Sequence, residues 1–267
     1  MASVPFFIIS CYYVIMKAEK EIIITNFSGI HKTQQFWQNT DNYNIFWLEV
    51  QNLSGSNCYC DDEALNYIRD NIKKYTEAGL HYIDSGNYHY MSRLWLEKVD
   101  RTFRLIVFDN HTDMQLPAFG GLLSCGGWIA NSIEELEFLK EVVLVGPDEE
   151  AYSQVEAEFK DKVNFLSREN LSQMSADERE NFFKNLDSDL PVYISVDKDV
   201  LSPKYSSTTW SQGDMKFDEL KKYIEIILDS QDVIGMDICG ECDLDSASGN
   251  SLNDIANEEL LKIWMAR

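Results

Sequence analysis

The sequence predicts an α/β fold in which a mostly parallel sheet carries helices on both faces. Two observations lead there. Short β-branched apolar runs recur along the chain, and longer stretches with helical spacing of apolar residues lie between them. The runs are also nearly continuous in apolar residues, as parallel strands covered on both sides require.

Glu21 to Thr25 (EIIIT) opens the alternation as a strand, and Asp61 to Tyr75 supplies the first helical stretch. Leu80 to Ile83 and Phe103 to Phe108 (FRLIVF) read as the next strands. Ser132 to Lys140 reads as a helix, with Ser132 and Glu135 spaced as a capping box. Val142 to Val145 is a strand, Asp148 to Lys160 a helix, Val163 to Leu166 a strand and Ala176 to Leu186 a helix. Val192 to Val196 (VYISV), the helix Phe217 to Ser230, the strand Val233 to Ile238 and a closing helix Asn253 to Ala266 complete the pattern. No repeat, low-complexity tract or Pro/Gly linker divides it, so one domain over residues 16–267 is expected. The apolar segment Val4 to Met16 is too short to span a bilayer and lacks a basic lead or a small-residue cleavage site. Residues 1–15 are read as an appendage ahead of a start at Met16.

Composition narrows the function. The 267 residues carry 45 Asp plus Glu against 23 Lys plus Arg, a net charge of −22. Such a surface repels phosphate backbones and anionic lipid, which argues against nucleic-acid and membrane partners and suits a cationic small molecule or divalent metal ions. Six cysteines at irregular spacing make no disulfide scaffold, so reduced thiols and a cytoplasmic location are expected.

In an open parallel sheet, ligands bind beyond the carboxyl ends of the strands. Three such ends carry unusual residues. After FRLIVF comes Asp109-Asn110-His111-Thr112-Asp113; on an extended backbone, positions 109, 111 and 113 share one side. After VYISV comes Asp197-Lys198-Asp199, a second same-face pair of carboxylates. After LHYI comes Asp84-Ser85-Gly86-Asn87-Tyr88-His89, where Gly86 permits a tight turn. Buried like charges need compensation. The four carboxylates Asp109, Asp113, Asp197 and Asp199, with His89 and His111 beside them, match two divalent cations. Oxygen and imidazole donors without thiolate suit manganese or another mid-row metal. Two such ions about 3.5–4 Å apart share a water and lower its pKa towards neutrality.

These three segments, with Ser195-Val196 before and Val200-Leu201-Ser202-Pro203 after the second acidic pair, resemble the ureohydrolase superfamily of arginase, agmatinase and formiminoglutamase. The likeness runs from about Glu21 to the C-terminus. It implies an arginase-like three-layer α/β/α fold and a two-manganese centre. The ligands implied are His89, Asp109, His111, Asp113, Asp197 and Asp199, with Asp113 and Asp197 among the bridging carboxylates. It also implies attack of a metal-bridging hydroxide on a guanidino or formimino carbon, and assembly into a homo-oligomer, commonly a trimer or hexamer.

Several positions depart from the family pattern. Asn110 replaces an alanine, and Ser202 the last acidic residue of the third motif. Cys125, in Leu123 to Trp128, stands near where arginases carry a proton-shuttling histidine. Met114 to Ala118 is largely apolar where amino-acid-recognising residues are expected, which disfavours arginine itself. Glu241 follows Asp237 by four residues, where the family spaces its guanidinium-holding Glu by three; a bulge at Gly240 restores its direction. Glu241 is therefore read as a catalytic and substrate-binding residue beside Asp113. Cys125 and Trp128 are expected at the substrate, and Trp210 and Tyr205 at the mouth. Two alternatives stay open: a metal-retaining protein of this fold that binds without catalysing, and thiol chemistry at Cys239-Gly240-Glu241-Cys242.

Overall fold

The computed structural model describes residues 21–40, 43–117 and 120–267, so the appendage read over 1–15 and the start at Met16 lie outside the described residues. Eight parallel strands form one sheet. They are β1 (Glu21–Asn26), β2 (Asn44–Glu49), β4 (Leu80–Tyr82), β5 (Phe103–Phe108), β7 (Leu139–Val145), β8 (Val163–Leu166), β9 (Val192–Asp197) and β10 (Val233–Cys239). Their spatial order is β2-β1-β4-β10-β9-β5-β7-β8; β3 (Tyr59–Cys60) and β6 (Leu123–Ser124) form a separate antiparallel pair.

Side chains alternate across the sheet and build one core on each face. From β5, Phe103, Leu105 and Val107 join the first core, together with Ala64, Ile68 and Ile72 of the helix Asp62–Ile72 and Leu94 and Trp95 of the helix Met91–Leu96. Ile106 and Phe108 join the second, with Leu220, Ile224 and Ile227 of the helix Phe217–Ser230 and Leu260, Leu261 and Trp264 of the helix Ala247–Met265. The result is the three-layer α/β/α arrangement, and no helix among the described residues is long and apolar enough to cross a membrane.

Several elements differ from the sequence expectation, among them the following. Ser132 does not cap a helix; it lies inside the helix Trp128–Glu135, where its hydroxyl donates to the Trp128 carbonyl at 2.7 Å. The chain then enters β7 at Leu139, three residues before the apolar run begins. The stretch from Asp148 splits into Glu149–Ser153 and Ala157–Lys160, with the Asp148 carboxylate accepting from Ala151 N–H at 2.6 Å. The edge strand β2, carrying the apolar run Ile45 to Leu48, is an element the sequence expectation lacked.

Candidate metal centre

The site lies beyond the carboxyl ends of the central strands β4, β9 and β5, with β10 between β4 and β9. Asp197 is the last residue of β9, Asp109 follows β5 directly, and His89 follows a one-turn helix, Gly86–Tyr88, after β4. Gly86 is required by close approach: a Cβ there would lie 2.8 Å from the Trp210 ring and 3.2 Å from Asp197 Oδ2.

His89 Nδ1 stands 3.2 Å from Asp109 Oδ2, 3.1 Å from Asp113 Oδ2 and 3.5 Å from Asp197 Oδ2. His111 Nδ1 stands 2.8 Å from Asp199 Oδ2 and 3.5 Å from Asp109 Oδ1. All six residues expected from sequence therefore meet, and all but the half-buried His111 are buried. Their donor atoms fall into three overlapping metal-competent clusters: His89-Asp109-Asp113, Asp109-His111-Asp199, and His89-Asp197 with the buried Cys239 thiol. Asp109 belongs to the first two clusters, while the family likeness implies Asp113 and Asp197 among the bridging carboxylates.

The backbone reaches this arrangement by turns rather than by extension. Asp113 has a φ of 48°, in the left-handed region, so simple alternation through 109, 111 and 113 does not apply. Asp199 sits in the short 3-10 turn Lys198–Val200, whose N–H donates to Asp197 Oδ1 at 2.8 Å. Asn110 N–H in turn donates to Asp199 Oδ1 at 2.9 Å.

Electrostatics shows what the pocket lacks. Burial, reinforced by Asp109, pushes the Asp197 carboxyl up to about 6, and burial with Asp197 and Asp109 raises Asp199 as well. Asp109 is held low: burial raises it, but the His111 and His89 imidazoles outweigh that. The two imidazoles are shifted the other way. Burial disfavours their charge, yet Asp109 and Asp113 lift His89 well above the usual range, and Asp109 and Asp199 lift His111 to about 11. Asp109 Oδ2 is buried and faces His89 Nδ1 at 3.2 Å without the geometry of a hydrogen bond. Four buried carboxylates gathered around two imidazoles fit divalent cations.

A sign follows for metal loading. Divalent ions held by these residues would displace protons from His89, His111 and, below about pH 6, Asp197. Affinity therefore rises with pH, and each displaced proton adds up to about tenfold per pH unit. Manganese titrations are expected to tighten by at least about tenfold between roughly pH 6 and 8; a flat profile contradicts the ligand set.

A second set of groups, not assigned these roles from sequence, orients the first. His89 Nε2 lies 3.0 Å from Ser195 Oγ, which donates to Asp237 Oδ1 at 2.7 Å. His111 Nε2 lies 2.8 Å from Ser211 Oγ. Such partners fix which ring nitrogen faces the site. The signal for Asp237 and Ser195 was present, since both are polar residues inside apolar strand runs.

Two expectations for the substrate are corrected. Trp128 is fully buried and does not line the pocket; its indole Nε1 donates to Asp113 Oδ2 at 2.7 Å and its ring packs 4.8 Å from His89. It positions a carboxylate from behind. Trp128→Phe keeps the ring and loses the donor, and is expected to weaken manganese binding by about 10–100-fold, measured by titration. Glu241 is also absent from the lining. Gly240, at φ 90°, turns the chain as it leaves β10 and sends Glu241 into a buried nest. There its carboxylate binds the Lys198 ammonium and accepts from Asn257 Nδ2 at 2.8 Å, Gln34 Nε2 at 2.8 Å and Asn253 Nδ2 at 3.1 Å. Burial raises its pKa, but Lys198 and His31 hold it at about 2.

The pocket itself encloses about 70 Å³ and is lined by the six residues with Gly86, Gln115, Cys125, Gly126 and Trp210. Cys125 thus keeps its expected place, and half-exposed Trp210 forms a wall edge-on to His111 at 5.8 Å. Tyr205 packs against the second core instead. Cys239 and Cys242 are buried free thiols, and burial raises both, which leaves them poor nucleophiles.

A family profile described as the arginase family matches residues 25–245. A Thermotoga maritima protein, itself described as uncharacterized, is 27% identical over 222 residues, covering 83% of this chain and 80% of its own. Proclavaminate amidino hydrolase from Streptomyces clavuligerus superposes with a TM-score of 0.67 at 16% identity, covering 92% of each chain. Formimidoylglutamase from Bacillus subtilis gives 0.68 at 16% identity, covering 91% of this chain and 85% of its own. At these identities the structural likeness speaks to the fold.

Proposed function

Since the chain belongs to the arginase family over residues 25–245, we propose that it is a manganese-dependent hydrolase cleaving a C–N bond of a small guanidino or formimino compound. The observation that carries this reading is the convergence of four buried carboxylates and two imidazoles at one small pocket. His89, Asp109, His111, Asp113, Asp197 and Asp199 would hold two ions per subunit. Bound there, the ions supply Lewis acidity and an acidified water.

The chain's own groups do the rest. Ser195 and Asp237 lock the His89 ring, and Ser211 locks His111. The Gln115 side chain, on the lining, offers an amide carbonyl to a guanidinium N–H, and the Trp210 ring offers an aromatic face to a planar cation. No Lys or Arg lines this pocket among the described residues, so it provides no counter-ion for a substrate carboxylate. Guanidines with a neutral or cationic remainder are therefore preferred to amino acids. Homo-oligomer formation belongs to the same proposal and is read by sedimentation.

Urea or ammonia release from a panel of guanidino and formimino compounds, with added manganese, tests the activity. Release is expected for at least one carboxylate-free compound. A second reading is favoured by the sequestration of Glu241: a protein that retains the metal pair and binds ligands without hydrolysing them. Two bound equivalents of manganese with no release across the panel would support it.

A further inference from the structure

A second cavity, of about 200 Å³, opens at the same edge of the sheet, beyond β7, β8 and β9. Arg168, Arg179 and Lys216 face it, on a protein whose net charge is −22. Two carboxylates, Asp214 and Glu219, also line it, and Glu219 is engaged by Arg179 Nη1 at 2.5 Å. The other two cations are less satisfied. Arg168 gives Nη2 to Asn110 Oδ1 at 2.6 Å and stands 3.6 Å from Asp148 Oδ2, while its Nη1 makes no hydrogen bond among the described residues. The Lys216 ammonium makes no ion pair among the described residues. A guanidinium N–H and an ammonium that face one cavity without a carboxylate partner suit an oxyanion. Leu171 and Met215 give the cavity an apolar side.

We propose that this cavity binds a small oxyanion, a carboxylate or a phosphate ester on a short apolar body, through Arg168 and Lys216. The site communicates with the metal pocket through one residue. Asn110, held by Arg168, donates its backbone N–H to Asp199 and its Nδ2 to the Ser211 carbonyl at 2.9 Å, and Ser211 Oγ meets His111. An anion that draws on Arg168 therefore acts on the support of two proposed metal ligands. By linkage, manganese then changes anion affinity by the same factor as the anion changes manganese affinity. This coupling rests on the proposed metal centre; the anion site does not.

The test is calorimetric titration of the full chain, stripped with EDTA and dialysed into chloride buffer, with inorganic phosphate and with butyrate in separate runs. Saturable binding of one or both is expected, and the arm that binds more tightly identifies the head group. Arg168→Leu is expected to weaken binding by at least about tenfold, and Lys216→Ala by about threefold to tenfold. Lys216 is exposed, so its variant keeps the test valid should Arg168→Leu fail to fold. No saturable binding of either anion to about 10 mM, or binding unchanged in Lys216→Ala, overturns the site. Because the protein is metal-free in these runs, failure of the metal centre leaves the result interpretable.

Discussion

Asp197→Ala is expected to cut bound manganese from two equivalents to one or none and to lower amidine hydrolysis by about three orders of magnitude or more, the several kcal/mol that metal catalysis supplies. The expectation follows from where Asp197 stands. One carboxylate oxygen faces His89 Nδ1 at 3.5 Å, and the other accepts the Asp199 N–H at 2.8 Å, so its loss removes a donor and loosens the turn that carries a second one. Asp113→Ala should act similarly, because Asp113 belongs to the His89-Asp109 group. Elemental analysis checks both. Two equivalents still bound in either variant would contradict the assignment.

Glu241→Ala is expected to cost about 3–5 kcal/mol of stability, because it leaves the Lys198 ammonium buried without its counter-ion. Lys198 and Glu241 are both fully buried, and Asn257 Oδ1 remains as an acceptor for Lys198 at 2.8 Å. Chemical denaturation measures the loss. Pairing Glu241→Leu with Lys198→Met should recover most of it, since two apolar side chains replace a paired charge without an orphan. A substrate-holding Glu241 predicts the opposite pattern: unchanged stability with a raised KM. The pH sign agrees with a structural role. With its folded-state pKa held at about 2, Glu241 contributes stability above its unfolded value near 4.3, and that contribution is lost as pH falls towards 2.

The proposed centre was legible because its residues obey local rules. Strand ends announce themselves where continuous apolar runs break into carboxylates, as at Phe108-Asp109 and Val196-Asp197. Charge arithmetic on those carboxylates points to cations without any three-dimensional information. The Trp128 and Glu241 readings failed for a shared reason: chain position places a residue near a site without telling which way it faces. Trp128 starts a helix whose inner side packs on the first core, so its ring enters the protein and only its N–H reaches Asp113. Glu241 follows a left-handed glycine, and its destination depends on Lys198, Asn257, Gln34 and Asn253, which lie far apart in the chain.

The amino-acid order alone determined the α/β alternation, the strand ends that carry chemistry and the six donors that gather there, because apolar periodicity and like-charge burial are properties of neighbours along the chain. Folding decided how the donors cluster, which serines orient the histidines, and that Glu241 neutralises Lys198 rather than facing the pocket. Those outcomes depend on contacts between residues separated by dozens to hundreds of positions, where direction is set by packing against the two cores and by the need of each buried charge for a partner.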